Sequence, residues 1–170
     1  MNTAILTIAL VGAWLPGVNA VPAWQVSYSQ AQQQSSAQKK PLVVVFGSGP
    51  NGWTKVIRAD GPTTEVTKLL SDNYVCFYVD TANASGKKLA HDFDISNGLG
   101  LVISDRAGGM QAFWHQGDIS NQNMATYLTK FADPNLVVQI TETAATPRTS
   151  FYPAMNGGQE PSRTIRSANC

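Results

Sequence analysis

Cysteine is almost absent from this chain: Cys76 and Cys170 are the only two among 170 residues. That excludes a disulfide-stapled scaffold and a four-thiolate metal site. Charge is scarce as well. Charged residues make up 14% of the chain, and 12 basic side chains face 11 acidic ones. A formal net charge of +1 creates no long-range field to draw in nucleic acid or an anionic membrane. No run of Lys or Arg interleaved with aromatics occurs, so nucleic acid is not an expected partner. Long apolar runs are missing too. The nearest is Ala4–Val18, interrupted by Thr7, Gly12, Pro16 and Gly17. A spanning helix needs about 20 apolar residues, so no stable membrane span is expected. Histidine is limited to His91 and His115, with no H-x-x-x-H pair. Neither a metal nor another cofactor is expected.

What is present is ample apolar material, 43% of residues, in a chain long enough for one domain. The first twenty residues read as a secretory signal. Ala4–Val18 has the length of a signal core, and Val18-Asn19-Ala20 puts small residues where a signal peptidase reads, with cleavage expected after Ala20. No Lys or Arg precedes the apolar run, and no Cys follows the cleavage point to carry a lipid. This reading places the protein outside the cytoplasm, secreted or periplasmic, where disulfides persist. The chain then divides into a signal at 1–20, a domain at 21–140, and a flexible polar tail at 141–170. The tail is rich in Thr, Ser, Pro, Gly and Asn, a composition that cannot bury enough surface to offset its ordering entropy.

Within the domain, Ser29–Lys39 has good helix formers and no Gly or Pro, and Pro41 stops it. Leu42–Phe46 is a continuous apolar run, as in a strand buried on both faces. A Gly/Pro loop comes next, Gly47–Gly52, then a short helix near Trp53. Asp60-Gly61-Pro62 breaks it, and Pro62 suits the first position of a new helix with Val66, Leu69 and Leu70 inward. Tyr74–Val79 is a second strand, rich in aromatic and β-branched residues. Lys87–Phe93 reads as a short helix, and Leu99–Ile103 and Met110–Trp114 as a hairpin about the turn Asp105–Gly109. Ser120 suits the N-cap of a last helix in which Met124, Tyr127, Leu128 and Phe131 recur on one face. Leu136–Ile140 suits a short edge strand.

A helix, a parallel β-α-β unit, a short helix, an antiparallel hairpin and a closing helix make up the order. In this order the chain resembles the exported thioredoxin-like domains over about Trp24–Asp133. The matching features are Trp24, Ala31, Lys40-Pro41 before the first core strand, the strand ending in Asp80, Phe93-Asp94-Ile95, the Asp105–Gly109 turn, and Gly117. The resemblance implies an α/β fold, a three-layer α/β/α sandwich on a central mixed sheet of about four strands. It also implies where redox chemistry would sit. Thioredoxins carry C-G-P-C after the first core strand, at the start of a helix that helps to lower the first thiol's pKa. Here that loop reads Ser48-Gly49-Pro50-Asn51. Ser48 cannot form a mixed disulfide and Asn51 cannot resolve one. The family's cis-proline would fall in Ile95–Gly100, which has no proline, and its buried acidic residue near Leu42 or Val43, which are apolar. No catalytic residue is therefore expected.

The resemblance points to a redox-inactive module that binds protein or peptide in a groove between the Ser48–Trp53 loop, with Trp53, and the loop Asn97, Gly98 and Leu99. Two alternatives remain beside it. One is an enzyme with His91 or His115 as base. His91, Asp92 and Asp94 form one polar cluster, and His115 and Asp118 another. The other is a thiol-linked protein acting through Cys170, with a disulfide-linked dimer as one form. Cys76 shares a strand face with Tyr74 and Tyr78, the setting of a small buried hydrophobe; the other reading is a bridge to Cys170, which requires the tail to fold back. Trp53 and Trp114 suit core or sheet packing ahead of ligand stacking. Asn83-Ala84-Ser85 is a glycosylation sequon.

Overall fold

A computed structural model of the chain describes residues 21–58 and 61–143. The expected signal, Cys170 and the tail beyond 143 lie outside the described residues. The elements in chain order begin with β1 (Trp24–Gln25), α1 (Tyr28–Gln38), β2 (Leu42–Gly47) and a 3-10 turn (Gly52–Val56). Then come α2 (Thr64–Asn73), β3 (Val75–Asp80), α3 (Ala84–Asp92), β4 (Gly100–Ser104), β5 (Gln111–Gln116), α4 (Asn121–Ala132) and β6 (Glu142–Thr143).

The strands form one six-stranded sheet in the order β1-β3-β2-β4-β5-β6. β1 and β2 run parallel to β3, β4 runs antiparallel to β2, and β5 antiparallel to β4. This connectivity is thioredoxin-like. β2 lies in the middle, and every one of its residues is buried, which is why its sequence is apolar without alternation. Val43 and Val45 face a core shared with Val66 and Leu70 of α2 and Met124, Leu128 and Phe131 of α4. Leu42, Val44 and Phe46 face a second core with Tyr28 and Ala31 of α1, Ala90 of α3, and Phe93. Helices therefore cover both faces of the sheet, giving the three layers expected.

The helix starts are set by caps. Ser27, Thr63, Asn83 and Ser120 each accept a hydrogen bond from a backbone N–H in the first turn of α1, α2, α3 and α4. Thr63 takes the capping position of α2, so Pro62 lies before the helix and not at its first position. Asn83 Oδ1 accepts from Gly86 N at 2.7 Å, so the sequon asparagine is committed to capping α3.

Two strands exceed the four expected. β1 pairs with Cys76 and Phe77 of β3, and β6 with Phe113 and Trp114 of β5. Leu136–Ile140 is not the edge strand; the chain runs through it in irregular form and pairs only at Glu142–Thr143. Thr141 is buried, and its hydroxyl donates to Gln111 O at 2.6 Å. The folded domain thus reaches Thr143, three residues into the stretch assigned to the tail. In the hairpin turn, the Arg106 guanidinium donates to Lys39 O at the end of α1 and Ala132 O at the end of α4, joining two helix C-termini.

Candidate functional site

The β2 strand ends at Gly47, and Ser48-Gly49-Pro50-Asn51 turns tightly away from it. Gly49 sits at φ +83°, in the left-handed region, and its carbonyl accepts from Gly52 N at 3.0 Å. The same carbonyl accepts the Tyr78 hydroxyl at 2.5 Å. Asp80 Oδ1 accepts from Ala82 N and Gly49 N, both at 2.9 Å. Those two backbone donors, Ala82 first, hold the Asp80 carboxyl below its ordinary range. The turn is closed further by contact between glycines. A Cβ on Gly52 would collide with the Tyr78 hydroxyl and come within 2.9 Å of the Gly47 carbonyl carbon.

Beyond the turn, the chain departs from the thioredoxin pattern. Gly52–Val56 is a five-residue 3-10 turn, and α2 starts only at Thr64. Ser48 and Asn51 therefore do not open a long α-helix, and a single turn offers little of the aligned peptide dipole that depresses a thiol pKa. Asn51 precedes the turn without a side-chain capping bond.

The facing loop, Ile95–Leu99, is equally closed. Asp94 and Gly98 adopt φ of +60° and +69°. The Thr81 hydroxyl lies 3.0 Å from Gly47 O and 2.9 Å from Gly98 O, tying the two loops together. Gly98 N donates to Ile95 O, Leu99 N to the Asn97 side chain, and Gly117 N to Leu99 O. The Gly98 and Leu99 main chain is thus hydrogen-bonded within the fold. No described peptide bond is cis.

Between the loops and α3 lies a cleft of about 530 Å³. Ser48 and Thr81 form one wall, and Asn97 and Gly98 another. Lys87 and His91, one helical turn apart on α3, form the third, over a floor of buried Ala90 and Ile95. The structure thus gathers Ser48, Asn97, Gly98 and His91. It does not bring Trp53 or Leu99 to them. Trp53 packs 5.3 Å from Trp24, ring to ring, and both Trp53 and Leu99 lie against the α2/α4 core. The cleft lies toward α3, away from Trp53. Pro50 and Asn51 are exposed on the outside of the turn.

The remaining candidates separate. His91 lies within α3, whereas Asp94 lies past the helix end in a left-handed conformation, so they do not share a helix face. Asp92 pairs with Lys88 at 3.1 Å. The His115 ring nitrogen lies 2.9 Å from Asp118 O, while the Asp118 carboxylate pairs with Arg58. His115 stands on β5, away from the cleft lining. Among the described residues no group of three metal-ligating side chains forms. Cys76 is 2% exposed and burial pushes its thiol up to about 12, the state of an inert core cysteine. Trp114 donates its indole N–H to Phe93 O at 2.8 Å. The contributions of Tyr78, Thr81 and Lys87 escaped the sequence reading. Asp80 was visible there as a strand-ending acid, but its grip on the turn was not.

No protein-family profile matches this chain, and no curated protein does. Among solved structures it is similar to one described as DsbH Oxidoreductase, at 18% identity and a TM-score of 0.48. That likeness covers 73% of this chain and 91% of that one. No helix of the described residues is long and apolar enough to cross a membrane.

Proposed function

We propose that this is an exported, redox-inactive thioredoxin-like module that binds a protein or peptide in the cleft between the Ser48 turn, the Asn97–Gly98 loop and α3. The observation that carries the reading is the cleft itself. It joins the Ser48 turn to the Asn97–Gly98 loop, and its volume of about 530 Å³ suits a few side chains. Because the Gly98 and Leu99 main chain is already hydrogen-bonded, recognition runs through side chains. It does not add a strand to a sheet edge. The N-terminal apolar segment supports export to the periplasm or medium. Cys170 remains available, on this reading, for an intermolecular or small-molecule disulfide.

Two measurements test it. Insulin reduction should show no turnover above background; robust turnover abolished by Cys76→Ala would end the redox-inactive reading. Peptide binding should be lost on Ser48→Trp, which plugs the cleft from an exposed position, with the fold checked by circular dichroism. Binding unchanged in that variant would remove the cleft from the account. A second reading, an enzyme using His91, gains support from one fact: His91 lines the same cleft as Ser48. A hydrolase-substrate panel in which activity disappears with both His91→Ala and Ser48→Ala would favour it.

A further inference from the structure

The cleft has a charge asymmetry. Its lining includes Lys87 and His91 and no Asp or Glu; the other polar groups there are Ser48, Thr81, Ser96 and Asn97. Neighbouring charges are already engaged. Lys88 and Asp92, on the same helix, pair with each other, and the Asp80 carboxylate is bound to Gly49 and Ala82 N–H groups. Among the described residues, Lys87 Nζ and the His91 ring have no hydrogen-bond or ion-pair partner. At i and i+4 on α3 they project side by side over the apolar floor of Ala90 and Ile95. Asn97 and Ser48 stand opposite, with neutral donors.

From this arrangement we infer that the cleft recognises an acidic peptide segment, with an Asp or Glu carboxylate held between Lys87 and His91. The inference rests on the binding reading above and names its ligand. An ammonium on one side of a half-open cleft gives a carboxylate a charge-assisted hydrogen bond. The neutral rim satisfies the rest of the segment through side chains, as the closed Gly98–Leu99 main chain demands. Solvent exposure of Lys87 and His91 keeps the gain modest, as for exposed ion pairs in general.

The test uses the full-length chain and an array of N-acetylated, C-amidated heptapeptides, randomised except for a central residue fixed as Glu, Gln or Lys. Capping both ends removes the terminal carboxylate, so any preference belongs to the side chain. The Glu set should bind about fivefold tighter than the isosteric Gln set, and Lys weakest. Raising ionic strength from about 0.05 to about 0.5 M should erase most of the difference. Lys87→Glu should invert the order and Lys87→Gln should flatten it. Equal binding of Glu and Gln, or an order unchanged by Lys87→Glu, overturns the acidic-segment inference. If binding is then still lost on Ser48→Trp, the cleft reading survives without it. Binding indifferent to Ser48→Trp defeats both.

Discussion

On the β2 side of the cleft, the Ser48–Gly52 turn has its polar groups tied inward: Gly49 N to Asp80, and Gly49 O to Gly52 N and the Tyr78 hydroxyl. On the α3 side, Lys87 and His91 stand exposed and unpaired among the described residues, on a helix that Asn83 caps. The first wall is tied into the fold by its backbone, and the second presents two exposed side chains. The loop that resembles a redox loop is the more constrained of the two walls. Its backbone is occupied in closing a turn, and the 3-10 segment after it supplies no long dipole.

The difference between the walls is tested hardest at the glycines. Gly52→Ala forces a Cβ against the Tyr78 hydroxyl and the Gly47 carbonyl carbon, and backbone cannot yield as a flexible side chain can. A destabilisation of about 2–3 kcal/mol is expected in urea unfolding, within the range for overpacking. A loss under about 0.5 kcal/mol would show that the turn adapts and is not a closed wall. Tyr78→Phe probes the same wall without a clash. It removes the hydroxyl that donates to Gly49 O, and a loss of about 1 kcal/mol is expected.

The α3 wall should answer differently. Lys87→Gln removes an exposed charge with no ion-pair partner among the described residues, so unfolding should change by less than about 0.5 kcal/mol. A large destabilisation would mean that Lys87 serves the fold after all, and that the two walls are alike.

How far the sequence carried this contrast depends on what kind of residue is involved. β2 was legible because a strand buried on both faces is apolar at every position, Leu42 through Phe46. The α4 face was legible because Met124, Leu128 and Phe131 repeat at helical spacing and are all buried. β1 and β6 were not legible. A two-residue strand has no period, and Trp24–Gln25 and Glu142–Thr143 are strands only because β3 and β5 offer them a pairing edge. Leu136–Ile140 misled for the opposite reason: its β-branched residues suit a strand, yet Val137 is 76% exposed and no described strand pairs with it. At the site, Ser48, Asn97, Gly98 and His91 were named from sequence, but their grouping with Lys87 depends on where α3 packs. Trp53 packs by Trp24 against the α2/α4 core, and a loop position does not reveal which core a ring will join.

Asp80 provides the smallest and most specific test of the difference. Its carboxylate accepts from Ala82 N and Gly49 N, and those bonds favour the charged form, lowering its pKa in the fold. A depressed folded-state value means that the unfolded chain binds the proton more readily. The contribution to stability is therefore present above the unfolded carboxyl value of about 3.9 and is lost as pH falls through the folded value. Asp80→Asn removes the titration while keeping an acceptor oxygen for the two N–H groups. Wild type should be the more stable of the two at about pH 7, and the gap should narrow on acidification from about pH 5 to about pH 2.5. The urea midpoints of both proteins across that range check it. A gap independent of pH would show that Asp80 holds the turn by shape alone, and that the charge on this wall contributes nothing to closing it.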